Sequence, residues 1–318
     1  MIDSPNPPAD EDLVFICGAL RSGTTLLRLM INDHPQLSNP GEMDFLFEPP
    51  PMREGRRDMA AYARKLAFNR VVAKLDLKLV PGLDYCEQVA EFIRQLRKPG
   101  RLLTINVHRH FDRIPGLFPA ARYVHLLRDP RDVARSSIGM GWAGNVYHGV
   151  DHWIASERDF ERLAAAVGEG RIHRMKNEDL VRAPARELTK MCAFLGVGYD
   201  ARMLDYPSHT TYGPPDPGLV EQWRRDQSPR EIGLVEAKVG PMLAARGYAE
   251  SGFSAVRPGA FGRLALRFDD RLGRWRDSAR RYGLMLTIAE MASARLRLPA
   301  LTAFVQRRKA PINARYLK

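Results

Sequence analysis

The chain has 318 residues, of which 45% are hydrophobic and 27% charged, a balance that excludes wholesale disorder and fits one large or two small globular domains. Its formal charge of +12 is unevenly spread. Fifteen Lys and Arg against four acidic residues put +11 into residues 251–318, which argues against a uniformly basic nucleic-acid binder.

Residues 1–12 are acidic and proline-rich and read as a disordered lead-in, lacking the basic start and apolar run of a secretory signal. Leu13–Cys17 (LVFIC), closed by Gly18, is predicted to be a buried strand, and Thr24–Asn32 a helix that stops before His34-Pro35. Residues 36–55 read as a loop with prolines at 49–51. Helical patterns near 57–79 and 84–97 are separated by Pro81-Gly82. Further strands are expected at Leu102–Val107, Arg122–Leu127 and Arg171–Met175. Further helices are expected at Pro130–Ser137, His148–Val167 and Ala185–Leu195, the last ending at Gly196. This alternation predicts an α/β domain of three layers, with a central parallel sheet between helices.

After Tyr248 the character changes. Phe261, Leu264, Phe268, Leu272, Trp275, Ala279, Tyr282 and Leu286 recur at spacings of three and four, with Arg263, Arg267, Arg271 and Arg274 on other faces. That is a basic amphipathic helix, followed by a second, more apolar helix over roughly 284–308 that carries Glu290, Arg295 and Arg297. The expected organisation is therefore a domain over 13–250 and a basic helical C-terminal extension over 251–318. Such an extension suits an anionic membrane surface, an acidic partner, or packing on its own domain. No run of about 20 apolar residues is present to span a membrane as a simple helix. Cys17, Cys86 and Cys192 are too few and too widely spaced for a disulfide framework or a zinc site. A cytoplasmic setting is expected, with the inner membrane face included if the extension binds lipid.

The most informative stretch is Gly18-Ala-Leu-Arg-Ser-Gly-Thr-Thr25, between a strand and a helix. Backbone N–H groups and a helix dipole at such a turn point at one anion. The frame is that of a nucleotide-triphosphate loop, with Thr24 where the lysine would stand and Arg21 inside the loop instead. RSGTT in this setting resembles the 5′-phosphosulfate loop of the sulfotransferase family. A second element, Arg128-Asp-Pro-Arg-Asp-Val-Ala-Arg-Ser136, resembles the same family's 3′-phosphate site, in which an arginine at a strand end and a serine eight residues on bind one phosphate.

The resemblance covers approximately residues 13–248. It implies a P-loop-type fold and a sulfuryl transfer from 3′-phosphoadenosine 5′-phosphosulfate (PAPS) to a hydroxyl or amine of a small-molecule, lipid or peptide acceptor, with no obligatory metal. Arg21, Ser22, Gly23, Thr24 and Thr25 would hold the 5′-phosphosulfate. Arg128 and Ser136 would hold the 3′-phosphate, with Arg131 or Arg135 assisting. A tyrosine common near the adenine is replaced at Asn177 in Asn177-Glu-Asp-Leu180, which leaves Asn177 to bind the base by hydrogen bonds. Trp223-Arg224-Arg225 weakly resembles a cofactor-proximal segment of the family.

Two residues are candidates for the base. Glu42, in His34-Pro…Gly41-Glu42, matches the catalytic glutamate of the tyrosylprotein branch and is favoured. His108 lies where cytosolic members carry a histidine within a lysine-threonine-histidine segment. Here that segment reads Asn106-Val107-His108, so the lysine is absent, and Arg21 or Arg109 is left to neutralise the leaving group. His108 and His110 would share a strand face, but nothing joins them at metal-ligand spacing. Gly139–Asn145, with flexible glycines around Trp142, reads either as an acceptor-lining loop or as a plain connection. A P-loop small-molecule kinase and a non-catalytic nucleotide- or membrane-binding protein are the alternatives.

Overall fold

The computed structural model describes residues 12–296 and positions scattered between 301 and 312; nearly all of the lead-in and part of the last predicted helix lie outside them. Five strands form one sheet: β1 (Leu13–Cys17), β2 (Leu37–Ser38), β3 (Leu102–Val107), β4 (Arg122–Leu127) and β5 (Ile172–Lys176). Their order is β2-β3-β1-β4-β5, and every pairing is parallel. β1 is central and fully buried, as its unbroken apolar run requires. Leu13, Phe15 and Cys17 enter a core with Phe47, Phe92 and Phe118 on one face; Val14 and Ile16 enter another with Leu27, Met30 and Leu188. The chain leaves β1 for β2 on one side and later returns to β4 on the other. That reversal opens a crevice at the strands' C-terminal ends, where α/β folds bind ligands.

Several expected elements are shifted. The pattern over 57–79 is two helices, Met59–Leu66 and Arg70–Lys74, because the Asn69 side chain accepts from Val71 and Val72 N–H and caps a new start. The helix expected from His148 begins at Asp151 after a separate turn at Val146–Gly149. The loop over 36–55 contains β2 and the 3-10 turn Asp44–Phe47.

The chain forms two compact units, residues 1–128 with 152–220 and residues 129–151 with 221–318. The first holds the sheet. The second is helical, so the basic extension shares a unit with Pro130–Gly139 and Pro229–Val239 and does not begin a body of its own at 251. Its centre is Arg131, which is 2% exposed. The guanidinium forks onto Asp129 at 2.9 and 2.6 Å, reaches Glu236 at 2.6 Å, and lies 3.7 Å above the Trp223 ring. The Trp223 backbone N–H in turn donates to Asp132.

Candidate active site

β1 ends at Gly18, and the chain must turn there within the width of the sheet. A Cβ on Gly18 would lie 2.6 Å from the Leu126 carbonyl, so only glycine fits. Arg21 and Gly23 both adopt positive φ, 73° and 91°. Such alternation curls successive N–H groups toward a common point. Ser22 N–H closes an internal turn onto Ala19, so it is engaged within the loop and the inward donors are its neighbours. Among the described residues no side chain caps the helix Thr24–Asn32, and no acidic residue occupies its first turn. Its leading amides and its dipole therefore face the crevice. Ser22 Oγ is buried with no hydrogen-bond partner among the described residues. An anion seated in the loop would satisfy it, since an unpaired buried hydroxyl is costly.

Arg128 Nη1 donates to the Arg21 carbonyl at 2.9 Å. Burial and the neighbouring Arg128 charge lower the Arg21 pKa. Two guanidiniums held together in this way suit a multiply charged anion. Arg128 is itself positioned from behind by Trp153, whose Nε1 donates to its carbonyl at 2.9 Å. Asn177, buried at the start of the helix Asn177–Arg182, lies directly on Gly23; a Cβ there would collide with its Oδ1. The structure thus puts Asn177 against the anion loop.

On the other side of β1, Glu42 pairs with Asn106 as an isolated parallel bridge that extends the β2–β3 edge. Asn39 sets this up. It accepts from Gly41 N–H at 2.9 Å and donates to Thr104 and Asn106 at 2.9 Å each, while Asn106 donates to the Thr24 carbonyl at 3.2 Å. The position that resembles the family's lysine is therefore a buried amide that ties β3 to the anion loop. Arg109, the other candidate for the leaving group's cation beside Arg21, pairs with Glu48 at 2.5 Å.

The bridge brings Glu42 to His108. The His108 ring is buried, Nδ1 lies 2.8 Å from the Gly18 carbonyl, and Nε2 lies 3.5 Å from Glu42 Oε1. A carbonyl only accepts, so Nδ1 carries a proton. The His108 side chain is 2% exposed and that of Glu42 41%, so the carboxylate is the member that reaches solvent. The His108 interaction pulls the Glu42 pKa below its ordinary 4.5, against the opposing effect of burial. Burial disfavours the imidazolium, but Glu42, Asp44 and the Gly18 carbonyl outweigh it and raise the His108 pKa. Asp44, which no sequence motif singled out, accepts the His108 backbone N–H at 2.7 Å. β3 ends at Val107 and His110 has φ 61°, so the strand-face relation expected for His108 and His110 does not hold.

A model of the sulfotransferase family matches residues 13–201. The chain belongs to that family. Among solved structures, it is similar to the sulfotransferase domain from the Synechococcus PCC 7002 olefin synthase, with 26% identity, a TM-score of 0.58, and coverage of 75% of this chain and 97% of that one. It is also similar in fold to the sulfotransferase domain from the curacin biosynthetic pathway, at 20% identity and a TM-score of 0.55, covering 77% and 99% of the two chains.

Within this sulfotransferase-family chain the Arg128…Ser136 frame divides its residues between two tasks. Arg131, which was expected with Arg135 as one of two residues that could assist at the 3′-phosphate, is engaged by Asp129 and Glu236 within its own unit. Arg135 is exposed and Ser136 half-buried on the helix Pro130–Gly139. Trp223 is 1% exposed between the Arg131 and Arg224 guanidiniums, a core residue of its unit. The glycines around Trp142 serve close packing: Gly144 N–H donates to Asp270 at 2.8 Å, and Asn145 Nδ2 donates to the Leu266 carbonyl at 2.8 Å.

In the first unit, a cleft of about 1180 Å³ is lined by Arg56, Arg57 and Arg113 together with Met52, Met59 and Leu117. Arg113 Nη1 donates to the Phe47 carbonyl at 2.8 Å, joining the segments that continue from Glu42 and from His108 into the cleft wall.

Proposed function

We propose that the protein transfers a sulfuryl group from PAPS to a hydroxyl or amine by direct in-line displacement, with Glu42 as the base. The observation that carries the reading is the opposition, across the end of β1, of an anion loop and the Glu42–His108 pair. PAPS supplies an activated sulfuryl group and a bisphosphate leaving group. The orphaned Ser22 hydroxyl and the paired Arg21 and Arg128 fit its charge.

Loop amides of Gly23, Thr24 and Thr25, with Arg21, hold the 5′-phosphosulfate and take up the charge that grows on the bridging oxygen as the S–O bond breaks. Glu42 accepts the acceptor's proton as the new bond to sulfur forms. The electron pair of the broken bond leaves on the phosphate, giving 3′-phosphoadenosine 5′-phosphate (PAP). His108 holds Glu42 ionised and oriented. Arg128 and Ser136 are assigned to the 3′-phosphate by their match to the family frame, and Asn177 to the adenine side. No metal enters the scheme.

The acceptor is assigned to the Arg56–Arg57–Arg113 cleft. Among the described residues none of these three arginines has a carboxylate partner, and the apolar methionines lie beside them. Three arginines against the single carboxylate of Asp84, on a partly apolar wall, favour an acceptor with its own anionic group. Incubation with sulfur-35-labelled PAPS and hydroxyl acceptors with and without a carboxylate tests this. Label should pass preferentially to the anionic acceptors. Equal transfer to neutral ones contradicts the acceptor class, and no transfer to any contradicts the activity.

A further inference from the structure

Amphipathic helices normally turn their apolar stripe inward. The helix Ala260–Tyr282 does the reverse over its first half. Phe261, Leu264, Phe268 and Trp275 share one stripe and are 89%, 62%, 69% and 38% exposed. The roughly opposite stripe, polar and small, makes the contact within its own unit. Asp270 is 7% exposed and accepts from Gly144 N–H, and a Cβ on Gly273 would come within 2.6 Å of the Gly144 Cα. Asp277 packs beside Gly141 and pairs with Arg281 at 2.7 Å. The inward face is thus fixed by backbone contact, and the apolar face is left outside.

The following helix, Leu284–Leu296, folds back along the second half, with Ser278 and Thr287 hydroxyls 3.1 Å apart. It adds Met285 and Ile288 to the exposed surface at 87% and 54%. Arg263, Arg267 and Arg271 are exposed along one flank of the stripe. The segment's four carboxylates are engaged elsewhere: Asp269 with Asn145, Asp270 with Arg274, Asp277 with Arg281, and Glu290 with Lys309. Among the described residues, none pairs with those three arginines.

We infer that this helical pair is a membrane-docking surface that lays Phe261, Leu264 and Phe268 into the interface of an anionic bilayer while Arg263, Arg267 and Arg271 meet its headgroups. An exposed aromatic stripe bordered by arginines with no carboxylate partner among the described residues is the pattern of an interfacial helix. No helix of the described residues is long and apolar enough to cross a membrane, so the contact is peripheral. Charge selects this occupant over a second copy of the chain, since two such surfaces would bring their arginines together. The inference is independent of the cofactor.

The test is sedimentation of the full chain with vesicles of phosphatidylcholine and phosphatidylglycerol, against phosphatidylcholine alone. Phe261→Ser/Leu264→Ser/Phe268→Ser and Arg263→Gln/Arg267→Gln/Arg271→Gln are compared with the wild type. These side chains are exposed, so both variants should fold, which thermal melting checks. The expected result is binding to anionic vesicles that falls at least about tenfold in each variant, with a blue shift of tryptophan emission on binding. The inference is overturned if the wild type does not bind, if folded variants bind as well as it does, or if light scattering shows a dimer that the serine variant abolishes while vesicles stay unbound.

Discussion

Glu42 Oε1 and His108 Nε2 lie 3.5 Å apart, although 66 positions separate them, because the bridge between Glu42 and Asn106 sets the one beside the end of the strand that carries the other. The two candidates for the base are thus one unit, with Glu42 as the solvent-facing member. Glu42→Gln should lower kcat by about 10²-fold or more, in line with the usual contribution of a positioned base. His108→Asn should lower it too, and should move the acid limb of the pH–rate profile upward, since Glu42 loses the partner that depresses its pKa. An unchanged profile in His108→Asn would break this link.

The same pair sets a pH window for stability. Glu42 has a lowered pKa in the folded state, so its contribution is present above its ordinary 4.5 and is lost as pH falls through the folded value. His108 has a raised pKa, so its contribution is complete below its ordinary 6.5 and is lost as pH rises through the folded value. Thermal melts should therefore show the largest Tm deficit of Glu42→Gln between about pH 4.5 and 6.5, narrowing at higher pH.

Arg131→Ala should destabilise the protein by about 3–5 kcal/mol in denaturant melts, because it strands the Asp129 and Glu236 carboxylates in a buried setting. Arg131→Met should be milder, since it refills the volume beside Trp223. Arg131→Lys should not restore the wild type, as an ammonium cannot make the fork onto Asp129.

Gly18→Ala should cost about 1–3 kcal/mol, because the added carbon meets a backbone carbonyl that cannot swing away. Gly23→Ala meets the movable Asn177 side chain but also a φ of 91° that strains any L side chain, so it should cost stability as well and weaken PAP binding. Calorimetric titration beside thermal melts separates the two effects.

The strands were readable because each is a short apolar run bounded by turn residues, and the anion loop because glycine, serine and threonine at fixed spacing leave little else that a strand-to-helix turn can do. Arg128-Asp-Pro-Arg was harder to read. Pattern alone cannot tell an arginine that meets a ligand from one that forks onto its own helix cap, and only burial separates Arg128 from Arg131. The Glu42–His108 relation was invisible because strand order, not sequence distance, creates it. The Ala260–Tyr282 helix was recognised from its period, yet periodicity locates a stripe without saying which way it faces. That was fixed by the approach of Gly144 to Gly273, a feature with no periodic signal.

The most direct test of the central claim is calorimetric titration of the purified protein with PAP, set against Mg-ATP, in the wild type and in Arg128→Ala. Tight binding of PAP, weak binding of Mg-ATP, and loss of PAP affinity by at least about tenfold in a folded Arg128→Ala are predicted. Preference for Mg-ATP, or PAP affinity unaffected by Arg128→Ala, would contradict the assignment of this crevice to PAPS.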